Sequence, residues 1–546
     1  MKKRLVTVLI VLTLTVAMLV ACTPAPTATN APTATPTPDI SIVTLPLTST
    51  PTTFKVLASI NEAAQDYKDN VVWKKVAELT GVTFEFQSVL SANYGTEFNL
   101  MLASKQYPDL FMYPAGAGAA QYPGGLEQGV DDGVILDIKS LIPTVAPLYW
   151  QLMNKPEVLR DALTDKGYLP AVYQFRELYN DQPSNVWGMM IRQDWLTADG
   201  LSMPTTIPEW YTALKSFKDK HGADFPLLMH LGDNPIFMQA YGIITNPANR
   251  GAGDPKALFY PDADNKMHFG GVEQGYADYL KELSKWYAEG LYDRDFSTRF
   301  IFDLPGEAAV VGQGEAGATG GYLAWKGMFF GAAKDQTGFQ WVAAPAPKLT
   351  ATSDKPFEQV TFPKYLTDPW VITKACKDPE LVLKLFNWMC TEEGSILMNY
   401  GIEGDSYTKG TDGKLTFTDK ILKNDKGATA YLEIYNGNFQ PMNLSNTAAI
   451  YEQLNDAATL AENKLQLDSV QTLYVTYGLT ADESSRLNAI MADVTTYIQE
   501  QYVLAVMDPA VAATWMDVQA KQMNDMDIAA AIEIVQGAWD RYMAKK

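Results

Sequence analysis

The sequence predicts an α/β fold, because short strand-like runs alternate with helical patterns after an N-terminal region of different composition. From 54 to 113 the order is strand, helix, strand, helix, strand; the run 82–86 alternates apolar and polar residues with a period of two. This order is typical of a mostly parallel sheet flanked by helices. About 490 residues follow the N-terminal region, enough for one large or two medium domains.

Helix signals recur through the rest of the chain. Thr206 and Glu209 form a capping box with Pro208 in the first turn, a pattern that starts a helix. The spacing of apolar residues predicts further helices at 272–289, from 378 onward, at 480–503 and at 527–543. Four tryptophans on these helical faces are predicted core residues: Trp210, Trp286, Trp388 and Trp539. Asp412-Gly413 predicts a hairpin at 411–417.

The first residues are typical of an export signal. Lys2, Lys3 and Arg4 precede the apolar run 5–20, which is short for a spanning helix. The run closes with Leu19-Val20-Ala21-Cys22, which resembles a bacterial lipobox. That resemblance implies a signal peptide at 1–21 and a lipid on Cys22; the alternative is a plain signal peptide with a chance cysteine. Residues 22–53 are rich in Thr, Pro and Ala, so we expect a disordered tether.

The charge excludes one class of partner. The formal net charge is −20, which disfavours nucleic acid. We see no basic amphipathic stretch that would bind an anionic membrane directly, so the predicted lipid is the anchor. The other cysteines, Cys376 and Cys390, are 14 residues apart. On one helix they would be about 20 Å apart, too far for a disulfide.

Motifs for catalysis are absent or weak in the sequence. The chain has three histidines, His221, His230 and His268, without the spacing of a zinc helix. It contains no G-x-S-x-G elbow and no phosphate loop of the G-x-x-x-x-G-K-[ST] type. We interpret the glycine-rich run 312–317 as a loop rather than a dinucleotide site, and Asp262, Asp264 and Asn265 as a surface turn rather than a calcium site. We therefore predict no catalytic residue, no cofactor and no metal.

Several stretches together carry a family resemblance. They are 102–104, 108–110, 191–196, 200–201, 204–206, 387–389, 393–395, 399–404, 407–408 and 534–542. In their order and spacing the chain resembles bacterial extracellular solute-binding proteins of family 1, the substrate-binding lipoproteins of ABC transporters, in their long oligosaccharide-binding branch. The resemblance covers most of the chain after the signal peptide.

The resemblance implies a two-lobe clamshell of the periplasmic-binding-protein (Venus flytrap) type, with extra C-terminal helices. We expect lobe one at 54–185 and a returning segment at 308–370, with lobe two at 186–307 and most of 371–546. It also implies non-catalytic capture of a solute, an oligosaccharide above all, in the cleft, and delivery to the transmembrane permease subunits of an ABC importer. The protein would be an extracytoplasmic monomer, anchored to the cell membrane by its lipid.

A sugar cleft needs aromatic planes and hydrogen-bonding side chains at loops that follow strands. By that criterion the candidate ligand-binding residues are Asn61, Tyr113, Trp187, Tyr322, Trp325, Trp370, Glu403 and Tyr407. Arg176 and Arg192 are alternatives for an acidic sugar, although a salt bridge is an equally simple role for each.

Three other functions stay open at this point. The same clamshell can bind a peptide or a sulfonate. A lipid-anchored polysaccharide hydrolase would need two carboxyl groups about 5–10 Å apart in a cleft, which the sequence neither shows nor excludes. A sensor that reports ligand to a membrane receptor is the third.

Overall fold

The computed structural model describes residues 43–60, 66–112, 122–175, 187–230, 235–245, 255–299, 304–360, 366–424, 427–436 and 447–545. The first part of the chain contains β1 Thr52–Ile60, α1 Val71–Thr80, β2 Val82–Leu90, α2 Ser91–Ser104, β3 Leu110–Met112, α3 Gly125–Asp131, α4 Ile142–Val145, α5 Pro147–Met153, α6 Pro156–Ala162 and β4 Val172–Phe175. The second part contains β5 Trp187–Arg192, α7 Gln193–Asp199, α8 Ile207–His221, β6 Phe225–Leu228, α9 Pro235–Gln239, β7 Phe259–Pro261, β8 Met267–Phe269, α10 Gln274–Ala288, α11 Leu304–Gln313, β9 Ala316–Tyr322, α12 Lys326–Ala332 and β10 Trp341–Ala344.

The third part contains β11 Phe357–Val360, β12 Leu366–Ile372, α13 Pro379–Met389, α14 Glu392–Tyr400, β13 Tyr407–Lys409, β14 Leu415–Phe417, α15 Asp419–Leu422, α16 Ala428–Asn436 and α17 Thr447–Leu454. The last part contains α18 Ala457–Ser469, β15 Gln471–Tyr474, α19 Ala481–Met507, α20 Pro509–Ala513, a π-helix Trp515–Ala520, α21 Lys521–Asp525 and α22 Ile528–Ala544. No helix in these ranges is long and apolar enough to span a membrane.

Two separate sheets organise the chain into two lobes. The first sheet has the order β2-β1-β3-β12-β4, and the second has the order β10-β5-β9-β6. Each sheet has its own apolar core. Lobe one comprises the described residues of 43–175 and 366–454, and lobe two those of 187–344 and 457–545. The α/β two-lobe prediction is confirmed.

Both sheets are mixed in direction. In lobe one β1 is parallel to β2 and β3, whereas β12 is antiparallel to β3 and β4. In lobe two β5 is antiparallel to β9 and β10, and β6 is parallel to β9. The prediction of mostly parallel sheets therefore holds for β1 with β2 and β3 in lobe one and for β6 with β9 in lobe two. It is wrong for strands that return from the other lobe, because their direction is not fixed by a local crossover helix.

Local signals account for most of the helices. The Thr206–Glu209 capping box is present at the start of α8: the Thr206 hydroxyl accepts from the Glu209 N–H, and a Glu209 carboxylate oxygen accepts from the Thr206 N–H at 3.0 Å. Asn70 caps α1, and its side-chain amide also donates to the carbonyl of Tyr435, 3.0 Å away. A side-chain cap of this kind contributes about 1 kcal/mol. Trp210, Trp286, Trp388 and Trp539 are buried, as predicted.

The chain passes between the lobes three times. The first passage follows β4, the second runs through β11 between β10 and β12, and the third lies between α17 and α18. β11 pairs in parallel with β15, which follows the third passage, and Thr245 of lobe two forms an isolated bridge with Glu358 of β11. Within the described residues, backbone hydrogen bonds of this ladder thus connect β11, which leads into lobe one, with β15, which lies in the segment that has returned to lobe two.

The predicted lobe boundaries need correction. The segment 308–370 was expected in lobe one, but β9 and β10 pair with β5 in the second sheet. Conversely, α13 to α17 pack against lobe one, although 371–546 was assigned mostly to lobe two. The run 312–317, interpreted as a loop, contains the end of α11 and the start of β9. Strand partners are set by contacts distant in sequence, which local patterns do not reveal.

Part of the segment predicted as a tether belongs to lobe one. Val43, Leu45 and Leu47 pack against the core of lobe one, and the Leu47 N–H donates to the Thr80 carbonyl, 2.9 Å away. The prediction of a disordered tether is therefore wrong for these residues. Residues 1–42, which include the predicted signal peptide and Cys22, lie outside the described residues.

Side chains of α22 contact lobe one at a second place. The Arg541 guanidinium lies 2.7 Å from an Asp165 carboxylate oxygen, and the Lys545 ammonium lies 3.0 Å from the other. The Tyr542 hydroxyl donates to Asp161 at 2.7 Å. Arg541 also binds Glu483 of its own lobe. Partly exposed ion pairs of this kind contribute little stability and weaken with salt.

Candidate functional site

Three of the predicted ligand-binding aromatics come together beside the first passage between the lobes. Trp187, at the start of β5, pairs across the sheet with Tyr322, at the end of β9. Their ring centroids are 4.9 Å apart, and that of Trp325 lies 5.1 Å from Trp187 and 5.5 Å from Tyr322. All three pairs meet edge to face, an arrangement worth about 1 kcal/mol per pair. Trp187 is buried, whereas Tyr322 and Trp325 are half-buried.

Glycines make this arrangement sterically possible. A side chain at Gly321 would place its Cβ 2.6 Å from the ring of Trp325, so glycine lets the indole lie against the backbone of β9. A Cβ at Gly188 would lie 2.2 Å from the side chain of Gln466. The glycine-rich composition of β9, which suggested a loop, is therefore explained by close packing on a buried strand.

A small cavity adjoins the buried ring of Trp187. Gln239, Glu358 and Gln466 line it, and it leaves about 10 Å³ for water centres, room for about one water molecule. The Gln466 amide donates to the Met189 carbonyl at 3.0 Å. Among the described residues, its carbonyl oxygen and the indole N–H of Trp187 have no hydrogen-bond partner. The cavity thus offers one donor and one acceptor to a water molecule or a hydroxyl group.

Glu358 brings an ionisable group to this cavity from the crossing strand β11. The residue as a whole is half-buried, and burial raises the pKa of its carboxyl group to about 8. A carboxylic acid with this pKa is largely protonated at neutral pH and can donate a hydrogen bond. Neither Glu358 nor Gln466 was among the predicted residues. Their sequence surroundings carry no signal, because the cavity forms only where segments about 100 to 280 residues apart meet.

The structure does not add the remaining predicted residues to this cluster. Asn61, Tyr113 and Arg176 lie outside the described residues. Trp370 was predicted to precede a strand, but it lies within β12, an interior strand of the first sheet, and is fully buried. Its ring centroid is 5.7 Å from that of Phe84. As described, Trp370 is therefore a core residue and not a ligand contact.

Glu403 and Tyr407 line a different cavity, on lobe one. This groove has a volume of about 940 Å³ and is also bordered by Lys75, Leu79 and Glu393. Leu79 lies at the end of α1, and α1 runs back from the carboxyl ends of the strands towards their amino ends. Ligands of α/β sheets bind at the carboxyl ends. The two residues therefore stay separate from the Trp187 cluster.

Arg192 serves as a structural ion pair, the alternative that the sequence left open. Its guanidinium makes two contacts with Asp194, at 2.9 and 2.6 Å, and lies over the ring of Trp195. It is 4% exposed, so it is not available to an acidic sugar. In the described part of the chain, no group of three or more His, Cys, Asp or Glu side chains has an arrangement that would hold a metal ion.

Two lobes joined by crossing segments, with an aromatic cluster beside the passage, define a protein that holds a ligand between lobes. The sequence profile of bacterial extracellular solute-binding proteins matches residues 57–396. The chain belongs to this family, and it is an extracytoplasmic solute-binding protein. Proteins of this class capture a solute for transport.

Two proteins of Bacillus subtilis (strain 168) are similar in sequence. Lipoprotein LipO is 24% identical over 391 residues, which cover 68% of this chain and 70% of LipO. The polygalacturonan/rhamnogalacturonan-binding protein YtcQ is 26% identical over 258 residues, 45% of this chain and 48% of YtcQ.

Solved structures share the fold. The alginate-binding protein AlgQ2 superposes with a TM-score of 0.68 at 24% identity, over 90% of this chain and 99% of that one. The substrate-binding protein FusA of S. pneumoniae, in complex with kestose, gives 0.71 at 17% identity, over 90% and 100%.

The raised pKa of Glu358 predicts a specific pH dependence of stability. The folded-state pKa of about 8 lies above the ordinary value of 4.5, so the free energy of unfolding decreases as pH rises between these values. We expect Glu358→Gln to match the wild type in Tm near pH 4.5 and to exceed it by about 2–4 °C at pH 8.5. Glu533→Gln, at an exposed position on α22, is the control and should leave the Tm unchanged. Parallel Tm profiles for wild type and Glu358→Gln would contradict the assignment.

Proposed function

We propose that this protein captures an extracellular oligosaccharide between its lobes, without chemical conversion, and delivers it to the permease of an ABC importer. The observation that carries the proposal is the cluster of Tyr322 and Trp325, half-buried and supported by Trp187, beside the strand that joins the lobes. Ligand held there contacts lobe two and the crossing strand together. Its binding energy can therefore favour a closed arrangement of the lobes, which the permease would recognise.

The chemistry of the cluster suits a sugar. A sugar ring presents flat C–H faces that stack on aromatic planes and a rim of hydroxyl groups that both donate and accept hydrogen bonds. Tyr322 and Trp325 supply the planes, and Glu358 and Gln466 supply polar groups nearby. The similar proteins support the same class of cargo: YtcQ is named for polygalacturonan and rhamnogalacturonan, AlgQ2 for alginate, and FusA was solved with kestose.

A ligand screen tests the proposal directly. The chain from Thr23 onward would be heated with monosaccharides, oligosaccharides, peptides and sulfonates in turn. A ligand that binds only the folded state raises Tm, so we expect a shift with one oligosaccharide series, and chromatography should recover that sugar intact. A shift with peptides or sulfonates alone would make the protein a carrier of another solute class. Sugar that is consumed during incubation would make it a hydrolase.

The same ligand then tests the site. Removing the Trp325 ring should raise Kd about tenfold, since one stacking contact is worth roughly 1.5 kcal/mol. Phe330→Ala is a matched control, because Phe330 lies five residues further on and is 40% exposed. Its Kd should equal that of the wild type. Equal Kd values for Trp325→Ala and wild type would exclude this cluster as the site while leaving capture itself intact.

We also infer a lipid anchor at Cys22 and a monomeric state. The lipobox-like tetrad before Cys22 and similarity to a lipoprotein, LipO, support the anchor. A bacterial host that makes the full chain should incorporate labelled fatty acid into the wild type but not into Cys22→Ala. Cys376→Ala is the control, because Cys376 is buried and should not affect labelling. Absence of label in the wild type would contradict the lipid anchor.

A further inference from the structure

The hairpin of β7 and β8 ends in a turn held by one aspartate. The Asp262 Oδ1 atom accepts from the N–H groups of Asp264 and Lys266, each at 2.9 Å. The Asp262 N–H donates to the Lys266 carbonyl at 2.9 Å, and Asn265 adopts a left-handed backbone conformation with φ of 62°. The surface turn that the sequence predicted here is confirmed. The second oxygen of Asp262 is left for another partner.

That partner is His268, which lies between two carboxylates. Its Nε2 is 3.0 Å from Asp262 Oδ2, and its Nδ1 is 2.8 Å from Glu273 Oε1. A neutral imidazole has one N–H donor and one acceptor, so it can bond only one of two carboxylates. An imidazolium has two donors and satisfies both. With both carboxylates ionised, only the charged form of the ring satisfies both contacts.

The spacing of these residues is that of a cation-binding loop. Asp262 and Glu273 are the first and twelfth residues of a twelve-residue stretch, and Asp264 is the third. Calcium loops of the EF-hand type place oxygen ligands at positions one and three and a glutamate at twelve. Here the fifth position is Lys266, whose ammonium group cannot supply the oxygen of a calcium ligand. The seventh position is His268, whose ring lies between the carboxylates of Asp262 and Glu273. Glu273 at the closing position was missed in the sequence analysis.

We propose that His268, in its protonated form, is the built-in cation of the Asp262–Glu273 loop and takes the place that a metal ion would occupy. The ring joins the hairpin to the start of α10, where Glu273 precedes the first turn. The hairpin also holds α22, because the Gln536 side chain accepts from the Met267 N–H at 2.7 Å and donates to the Asn265 carbonyl at 3.0 Å. Protonation of His268 thus joins the start of α10 to a hairpin that Gln536 separately joins to α22.

The groups around the ring favour its charged form. Burial lowers the pKa of His268, but the hydrogen bonds to Asp262 and Glu273 outweigh this and raise the pKa above its ordinary value. From β7, the ring of Tyr260 stacks on the imidazole with centroids 5.6 Å apart. Asp264 and Lys266 stand at the tip of the hairpin. On α22, Asp540 accepts from Gln536, the residue that bonds the hairpin.

The sign of the pH effect follows from this pKa. Because the folded-state pKa of His268 is raised, its contribution to stability is fully present below the ordinary pKa of about 6.5 and is lost as pH rises through the higher folded-state value. The Asp262–Glu273 loop is therefore most stable at mildly acidic pH. Its stability depends on the protonation of His268, as the stability of a metal-binding loop depends on its bound ion.

Nuclear magnetic resonance of histidine-labelled protein tests the proposal. The chain has three histidines, and the signal that disappears in His268→Gln identifies the ring. We expect a pKa above 6.5 in the wild type and a decrease of about one unit in Glu273→Gln, which removes one anionic partner. Added CaCl₂ at 5 mM should leave the signal unchanged. A pKa at or below 6.5, or one unaffected by Glu273→Gln, would overturn the proposal.

The calcium experiment separates the proposal from an ordinary metal site. If calcium displaces the ring and shifts the His268 signal to that of neutral imidazole, the loop binds metal and the histidine is not its cation. A Tm measurement provides a second readout in each variant. His268→Gln should lower Tm by about 1–2 °C at pH 6 and by less at pH 9; an equal decrease at both pH values would show only a packing role.

Discussion

The short parallel ladder between β11 and β15 is the constraint on which the arrangement of this molecule depends. It has four residue pairs, and it joins a strand that enters lobe one to a strand that has just returned to lobe two. Backbone hydrogen bonds of a ladder are fixed in length and direction, whereas the ion pairs of Asp165 with Arg541 and Lys545 are partly exposed and weakened by salt. The lobes are therefore held firmly at the ladder and loosely at the second contact, which suits rotation about the crossing strands.

The candidate site depends on the same place. Trp187 begins the strand that follows the first passage, Glu358 belongs to β11, and Gln466 lies on the helix that follows the third passage. The residues that line the cavity beside the aromatic cluster thus come from segments that form or follow each of the three passages between the lobes. A ligand that contacts these residues therefore contacts the segments that join the lobes. The raised pKa of the Glu358 carboxyl group makes the charge of this region depend on pH.

Local patterns in the sequence predicted the secondary structure well and the strand partners poorly. The capping box of α8, the strand order from 54 to 113 and the buried tryptophans of the helices follow from neighbouring residues, so they could be predicted. β9 and β10 were assigned to the wrong lobe because pairing with β5 is a contact over more than 100 residues. The site shows the same division: Trp187, Tyr322 and Trp325 were predicted from their chemistry, whereas Glu358 and Gln466 became visible only from the packed structure. Glu273 is different, because the sequence shows its spacing from Asp262 and the residue was overlooked.

We propose that bound ligand moves the two lobes relative to each other and that the protein does not chemically convert this ligand. Spin labels at Leu100→Cys in lobe one and Lys334→Cys in lobe two, both exposed positions, would report the distance between the lobes by pulsed electron paramagnetic resonance. A pair within lobe two, Lys334→Cys with Val518→Cys, is the control. We expect the oligosaccharide found by the screen to change the distance between the lobes, to leave the control distance unchanged and to be recovered intact. An unchanged distance between the lobes in the presence of saturating ligand would contradict this proposal.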